Sequence, residues 1–230
     1  IDFRIYPKQF TALVGESGSG KTTLARIISG QLRPLSGHIY LNGREISQLT
    51  AHQRRKARLG MQMVFQDPYS SLHPLQKIGR QMEEPLLVQG HFSREERRRK
   101  VEEMLAAVGL DPEVAERFPQ NLSGGQRQRA AIGCALITRP QLLIADEPVS
   151  ALDLSVQAQI LNLFQRLRRD FDFACLFISH DLDVVRYLCD RVAVLHDGVI
   201  VEEDKAQRLF AGPRHPYTQQ LLSASLSLED

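Results

Sequence analysis

The chain has 230 residues, with 29 basic and 27 acidic side chains and a net charge of +2. That balance is too small to argue for a nucleic-acid partner by electrostatics, and 43% apolar with 24% charged residues excludes disordered and fibrous classes. One sizeable core can be buried, no run approaches the ~20 apolar residues of a membrane-spanning helix, and Ile1-Asp2-Phe3-Arg4 lacks the layout of a secretion signal. Cys134, Cys175 and Cys189 are an odd number without CxxC spacing and sit inside apolar runs, which predicts buried thiols in a reducing, cytosolic compartment.

In chain order, Thr11-Ala12-Leu13-Val14 is an apolar run ending in a glycine-rich segment, and Leu24, Ile27 and Ile28 then recur at helical spacing until Gly30. The pattern predicts strand, loop, helix. Because the chain opens on Ile1 in what reads as mid-strand, an N-terminal piece is expected to precede it. His38 to Leu41 followed by Asn42-Gly43 predicts an antiparallel hairpin, and Asp197-Gly198 between Val192–Leu195 and Val199–Val201 predicts another. Between about Ser70 and Pro140 the spacing is helical: Ser93 with Glu96 forms a capping box, and Val101, Met104, Leu105 and Val108 follow before Gly109. Leu142–Ala145 and Cys175–Ile178 are continuous apolar runs, as in strands buried on both faces of a parallel sheet.

Three segments carry chemistry. Gly15-Glu16-Ser17-Gly18-Ser19-Gly20-Lys21-Thr22 matches the GxxxxGK[ST] phosphate loop. Its glycines let backbone N–H groups and a helix N-terminus face phosphates, Lys21 reaches the β/γ-phosphates and the Thr22 hydroxyl binds Mg²⁺. Leu142 to Glu147 places two carboxylates at the end of a buried strand, where ligands gather in parallel sheets. Asp146 is suited to hold Mg²⁺, usually through water, and Glu147 to polarise an attacking water. Leu122-Ser123-Gly124-Gly125-Gln126 opens a helix predicted over 126–137, with Ser123 as its cap and the glycines leaving a second anion site exposed. One nucleotide has no obvious need for both sites in one chain. Taken singly, these segments also read as a glycine turn, a solvated strand end and an ordinary loop.

Together with Ser150-Ala151-Leu152-Asp153 and Ile178-Ser179-His180-Asp181, and in this order, these segments resemble ATP-binding cassette proteins over the whole chain. The resemblance implies an α/β fold: a P-loop NTPase core with a mixed, mostly parallel sheet and an antiparallel β subdomain, plus an inserted α-helical subdomain. It would be a single nucleotide-binding domain, with core 1–68 and 141–230 and the insertion about 69–140. ATP and Mg²⁺ are the implied cofactors, with Gly15 to Thr22 and Thr23 binding ATP. Ser123, Gly124, Gly125 and Gln126 would act in trans on a second cassette subunit, identical or related, in a head-to-tail dimer. Asp153 would lie in the loop communicating across that dimer. His180 looks like the switch histidine, and Gln66 like the glutamine that senses Mg²⁺ and water. Thr22, Gln66 and Asp146 thus form the metal set, and Glu147, His180 and Gln66 the catalytic set.

The same resemblance places the subunit on the cytoplasmic face of the inner membrane, against two permease subunits and, indirectly, an extracytoplasmic solute-binding protein. Tyr69 to Pro74 resembles the region that meets the permeases. Phe210 to Thr218 looks like the HPYT segment of the peptide and nickel importer branch. Many members of that branch continue into a cysteine-rich iron–sulfur extension, and no cysteine follows Cys189 here, so a shorter type or a trimmed chain is expected. The adenine-stacking aromatic stays unassigned, since only 14 residues precede Gly15 and Tyr6 belongs to the turn at Pro7. The competing readings are a soluble cassette ATPase acting on nucleic acid or the ribosome, and a silent cassette. Basic runs at Arg54-Arg55-Lys56 with Arg58, and at Arg97 to Lys100, invite the first, but the latter shares its helix with glutamates at i, i+4 spacing.

Overall fold

The computed structural model describes residues 1–50, 53, 57, 59–67 and 71–226. The basic run Arg54, Arg55, Lys56 and Arg58 lies outside them, as do Pro68, Tyr69 and Ser70 after Gln66. In chain order the strands are β1 Phe10–Val14, β2 Tyr40–Leu41, β3 Arg44–Glu45, β4 Met61–Val64, β5 Leu142–Asp146, β6 Ala174–Ile178, β7 Arg191–His196 and β8 Val199–Lys205. Six of them form one sheet in the order β4-β5-β6-β1-β7-β8. Every neighbouring pair is parallel except β7 with β8.

Both Asx-Gly dipeptides make the turns anticipated for them. Asn42 and Gly43 have φ of 50° and 75° between β2 and β3, and Asp197 and Gly198 have φ of 46° and 75° between β7 and β8. Asn and Gly tolerate this left-handed backbone, and its twist matches that of the flanking strands. The β2–β3 hairpin forms its own two-stranded sheet.

The central strands are buried on both faces because their side chains alternate into two separate cores. Phe10, Ala12 and Val14 of β1 join Cys175, Phe177, Val192 and Val194 on one face. Leu13 joins Ile144, Leu176, Ile178, Ala193 and Leu195 on the other. Helix α1 (Lys21–Ile28) covers the second face through Ala25. Between β4 and β5 the described residues include the α-helices α2 (Ile78–Gln89), α3 (Arg94–Ala107) and α4 (Gly124–Leu136). The first face packs against α5 (Leu154–Phe171), whose Ile160, Leu163, Phe164 and Leu167 are fully buried. Helix α6 (Leu182–Leu188) follows β6, and α7 (Ala206–Ala211) and α8 (Pro216–Leu226) close the chain. No helix among the described residues is long and apolar enough to cross a membrane.

The expected α/β class is therefore what the chain adopts, with two local corrections. Helix α4 begins at Gly124 rather than Gln126, because Ser123 as cap forces the next two glycines into the first turn. Cys175 and Cys189 are buried, but Cys134 is partly exposed on the groove side of α4. All three thiols are free. On α3 the capping box is present in both directions, and the basic run is paired: Arg97 with Glu83 of α2 at 2.7 Å, Arg98 with Glu102 at 3.2 Å, Arg99 with Glu103 at 3.7 Å.

Phe164 makes edge contacts with Phe10 and Phe177, at ring separations of 6.5 and 5.8 Å, and so joins α5 to two central strands. Phe164→Ala is expected to lower the unfolding free energy by about 3–5 kcal/mol in a denaturant titration, through lost burial and the cavity left behind.

Candidate active site

The site lies at the carboxyl ends of four adjacent strands. The phosphate loop follows β1, His180 follows β6, Asp146 and Glu147 end β5, and Gln66 follows β4. Their adjacency in the order β4-β5-β6-β1 converges these segments on one cavity of about 550 Å³, lined by Ser17, Gly18, Gly20, Lys21, Thr22, Thr23, Gln66, Glu147 and His180. Open α/β sheets bind ligands at this edge.

The loop is shaped for an anion. Gly15, Gly18 and Gly20 have φ of 152°, 86° and 104°. At Gly15 a Cβ would lie 2.1 Å from the Leu195 carbonyl oxygen, so only glycine lets the loop pass that close to β7. Helix α1 has no side-chain cap and no acidic residue in its first turn. Its first N–H groups have no carbonyl within the helix to bond, and they open toward the cavity with the positive end of the dipole. Unlike α3 and α4, which capping boxes close, this end has Lys21, Thr22 and Thr23 of its first turn lining the cavity.

Lys21 is buried with its ammonium donating to the carbonyl oxygens of Gly15 and Glu16, at 2.8 and 2.7 Å. Burial pushes its pKa below the ordinary value, against the pull of Glu147 and Asp146. The Thr22 hydroxyl donates to Asp146 at 3.4 Å. Burial pushes the Asp146 carboxyl above its ordinary value; the Thr22 hydroxyl opposes this shift and Glu147 adds to it. A hydroxyl and a dry carboxylate side by side suit a hard cation that brings phosphate oxygens and water as its other ligands. Glu147 has a left-handed backbone, φ 48°, fixed by its N–H donating to Ile178 O at 3.0 Å, and its carboxylate lies 3.4 Å from His180 Nδ1.

Comparison with known proteins bears directly on this loop. The family profile described as ABC transporter matches residues 1–150. The chain belongs to the ABC transporter family. It is 49% identical over 225 residues to the di/tripeptide transport ATP-binding protein DppF of Pseudomonas aeruginosa (strain UCBPP-PA14), covering 98% of this chain and 70% of that one. It is 46% identical to the oligopeptide transport ATP-binding protein AppF of Bacillus subtilis (strain 168), covering 97% and 68%. Its fold is similar to the dimeric post-hydrolysis structure of the ATP-binding cassette MJ0796 bound to ADP and Pi, with a TM-score of 0.78, 33% identity and coverage of 89% and 88%.

The remaining residues that the family resemblance singled out stand apart from the cavity. Ser123, Gly124, Gly125 and Gln126 do not line it. Ser123 Oγ accepts from Gln126 N–H at 3.3 Å and Gln126 Oε1 accepts from Ser123 N–H at 3.0 Å, so the glutamine side chain is held as a capping partner. Gly125 lies against Val156 of α5, which a Cβ would meet at 2.7 Å. Asp153 caps α5, accepting from Val156 N–H at 3.0 Å and Ser155 Oγ at 2.8 Å, and these bonds lower its pKa. Glu16, although in the loop motif, is exposed and does not line the cavity.

Sequence reasoning missed one participant. The Tyr217 hydroxyl accepts from Glu16 N–H at 3.0 Å, across 201 residues of chain. No spacing rule connects the two positions, and the tyrosine was legible only as part of a branch motif.

Asp146→Asn tests the electrostatics of the site. The folded pKa lies above the ordinary 3.8, so protonation favours the folded state and the ionised carboxylate costs stability at neutral pH. The variant is expected to raise the melting temperature of the nucleotide-free protein at neutral pH, with the gain fading as pH falls toward 3.8 in thermal scans.

Proposed function

We propose that this chain is the ATP-hydrolysing subunit of an ABC importer for short peptides. The observation that carries the reading is the uncapped, glycine-lined end of α1 with Lys21 beside it, facing Glu147, His180 and Gln66 across one cavity. The peptide assignment rests on similarity to the di/tripeptide and oligopeptide subunits; nickel, the other cargo of the branch, has no specific support from them.

In this reading the β- and γ-phosphates of ATP take the place of the Gly15 and Glu16 carbonyls as partners of Lys21, and the first N–H groups of α1 bond the phosphate oxygens. Thr22, Asp146 and Gln66 hold Mg²⁺, which when bound neutralises charge developing on the transferred phosphoryl group. Glu147 orients and polarises the attacking water, and His180, whose Nδ1 faces Glu147, stands beside the γ-phosphate. The reaction is phosphoryl transfer to water by positioning and electrostatics, with no covalent intermediate.

In this reading Ser123, Gly124, Gly125 and Gln126, which do not line this cavity, serve the cavity of a partner cassette, and two chains enclose two nucleotides head to tail. The dimeric cassette with ADP and Pi supports that arrangement. Asp153 passes closure from one chain to the other in this reading, which its cap on Val156, the residue that meets Gly125, supports. The groove lined by Phe65, Ser71, His73, Gln81 and Pro85, on either side of Gln66 in sequence, meets the permeases. The subunit works at the cytoplasmic face of the membrane.

Two measurements check this. Glu147→Gln is expected to lower kcat for ATP by about 10²–10⁴-fold, the usual contribution of a positioned base, while ATP binding persists. In vesicles containing the permeases encoded with this subunit, peptide-loaded binding protein should stimulate ATP hydrolysis, and hydrolysis indifferent to peptide would overturn the cargo assignment.

A further inference from the structure

The HPYT segment does more than mark a branch. Its tyrosine reaches the phosphate loop, and the contact has a directional consequence. Gly15 C=O and Glu16 N–H belong to one peptide unit. In a planar trans peptide these two groups point in opposite directions. The carbonyl accepts from Lys21 Nζ at 2.8 Å, and the N–H donates to the Tyr217 hydroxyl at 3.0 Å. A single peptide plane is therefore clamped from both sides, by the phosphate-binding ammonium inside the cavity and by a C-terminal side chain outside it.

The outer clamp is itself fixed. Tyr217 is 8% exposed, and its ring stacks on His196 at 3.8 Å and 23°. His196 ends β7, next to the Leu195 whose carbonyl leaves room only for glycine at position 15. Both carboxylate oxygens of Glu202 on β8 accept backbone N–H groups of the segment, Arg214 at 2.9 Å and His215 at 3.0 Å. The β7–β8 hairpin touches the loop a second time, where Gly198 N–H donates to Ser19 O at 3.2 Å. The hairpin and the HPYT segment thus form one rigid support behind the loop.

We propose that Tyr217 is a positioning residue for nucleotide binding, setting the tilt of the Gly15–Glu16 peptide and through it the resting place of Lys21. This rests on the ATPase reading given above. When phosphate draws the Lys21 ammonium away from the Gly15 carbonyl, the Tyr217 bond is what continues to hold that peptide plane, so its contribution is made to bound ATP and transition state alike. Such uniform binding appears in KM and not in kcat. The support also couples two distant parts of the chain: whatever draws α8 away from the β7–β8 hairpin releases the loop, and by reciprocity bound ATP holds α8 in place.

The test is Tyr217→Phe in the full-length chain, which keeps the ring, its burial and its stack on His196 while deleting the hydroxyl. Steady-state ATP hydrolysis should show KM raised about fivefold or more with kcat within about twofold of the parent. Glu202→Gln, which loosens the segment from β8, should move KM in the same direction. An unchanged KM in Tyr217→Phe, or a fall in kcat with KM constant, overturns the positioning role. Absence of ATP binding and turnover in the parent protein would instead sink the ATPase reading, so the two failures are distinct.

Discussion

A lysine ammonium held in a dry loop by two of that loop's own carbonyls is the interaction on which this structure turns. Lys21 donates charge-assisted bonds to Gly15 O and Glu16 O, with Glu147 and Asp146 near enough to favour its charge. Burial disfavours its charge, and burial likewise disfavours that of the nearby Asp146. Both groups keep their places because the sheet over-determines them: β1, β5 and β6 are buried along their whole length and deliver loop and carboxylates in fixed register. The core thus holds in place an arrangement of buried charges that is unfavourable by itself.

The two glycine-rich helix starts show how similar sequence produces different chemistry. Helix α1 begins after Gly20 with no side chain to close it, whereas α4 begins after Ser123 with a complete capping box. The first is an open anion site within its own chain. The second is satisfied locally and exposed, and Gly125 permits close contact with Val156 in place of any widening of the loop. In the proposed sandwich, the capped end needs only to present its serine and glycines to phosphate, and its helix remains intact while it does so. That division fits a chain with two glycine-rich helix starts of which only the first lines the cavity with Glu147 and His180.

Local signals made most of the fold legible. Asn42-Gly43 and Asp197-Gly198 fixed two hairpins through backbone conformation, Ser93 with Glu96 fixed a helix start, and the apolar runs at 142–145 and 175–178 marked strands because alternation vanishes when both faces are covered. The loop, Asp146 and Glu147 were legible for the same reason: each is a contiguous motif with its chemistry in neighbouring residues. Strand order was not. That β6 lies between β5 and β1, bringing His180 to Glu147, follows from packing among strands far apart in sequence. Tyr217 was invisible as a site residue for the same reason, and the partial exposure of Cys134 depends on a groove that periodicity cannot anticipate.

Glu147 shows how the fold converts such non-local contacts into chemistry. A glutamate with φ of 48° occupies a backbone region that non-glycine residues seldom visit, and it stays there because its N–H is tied to Ile178 O on the adjacent strand. Were the backbone to continue β5 in extended form, successive side chains would alternate across the sheet, and Glu147 would fall on the face opposite Asp146. The left-handed turn breaks that alternation, leaving Asp146 beside Thr22 and Glu147 beside His180 in the cavity lining. The different surroundings of two adjacent acids, one against a hydroxyl and one against an imidazole, are thus tied to a single backbone dihedral held by a neighbouring strand.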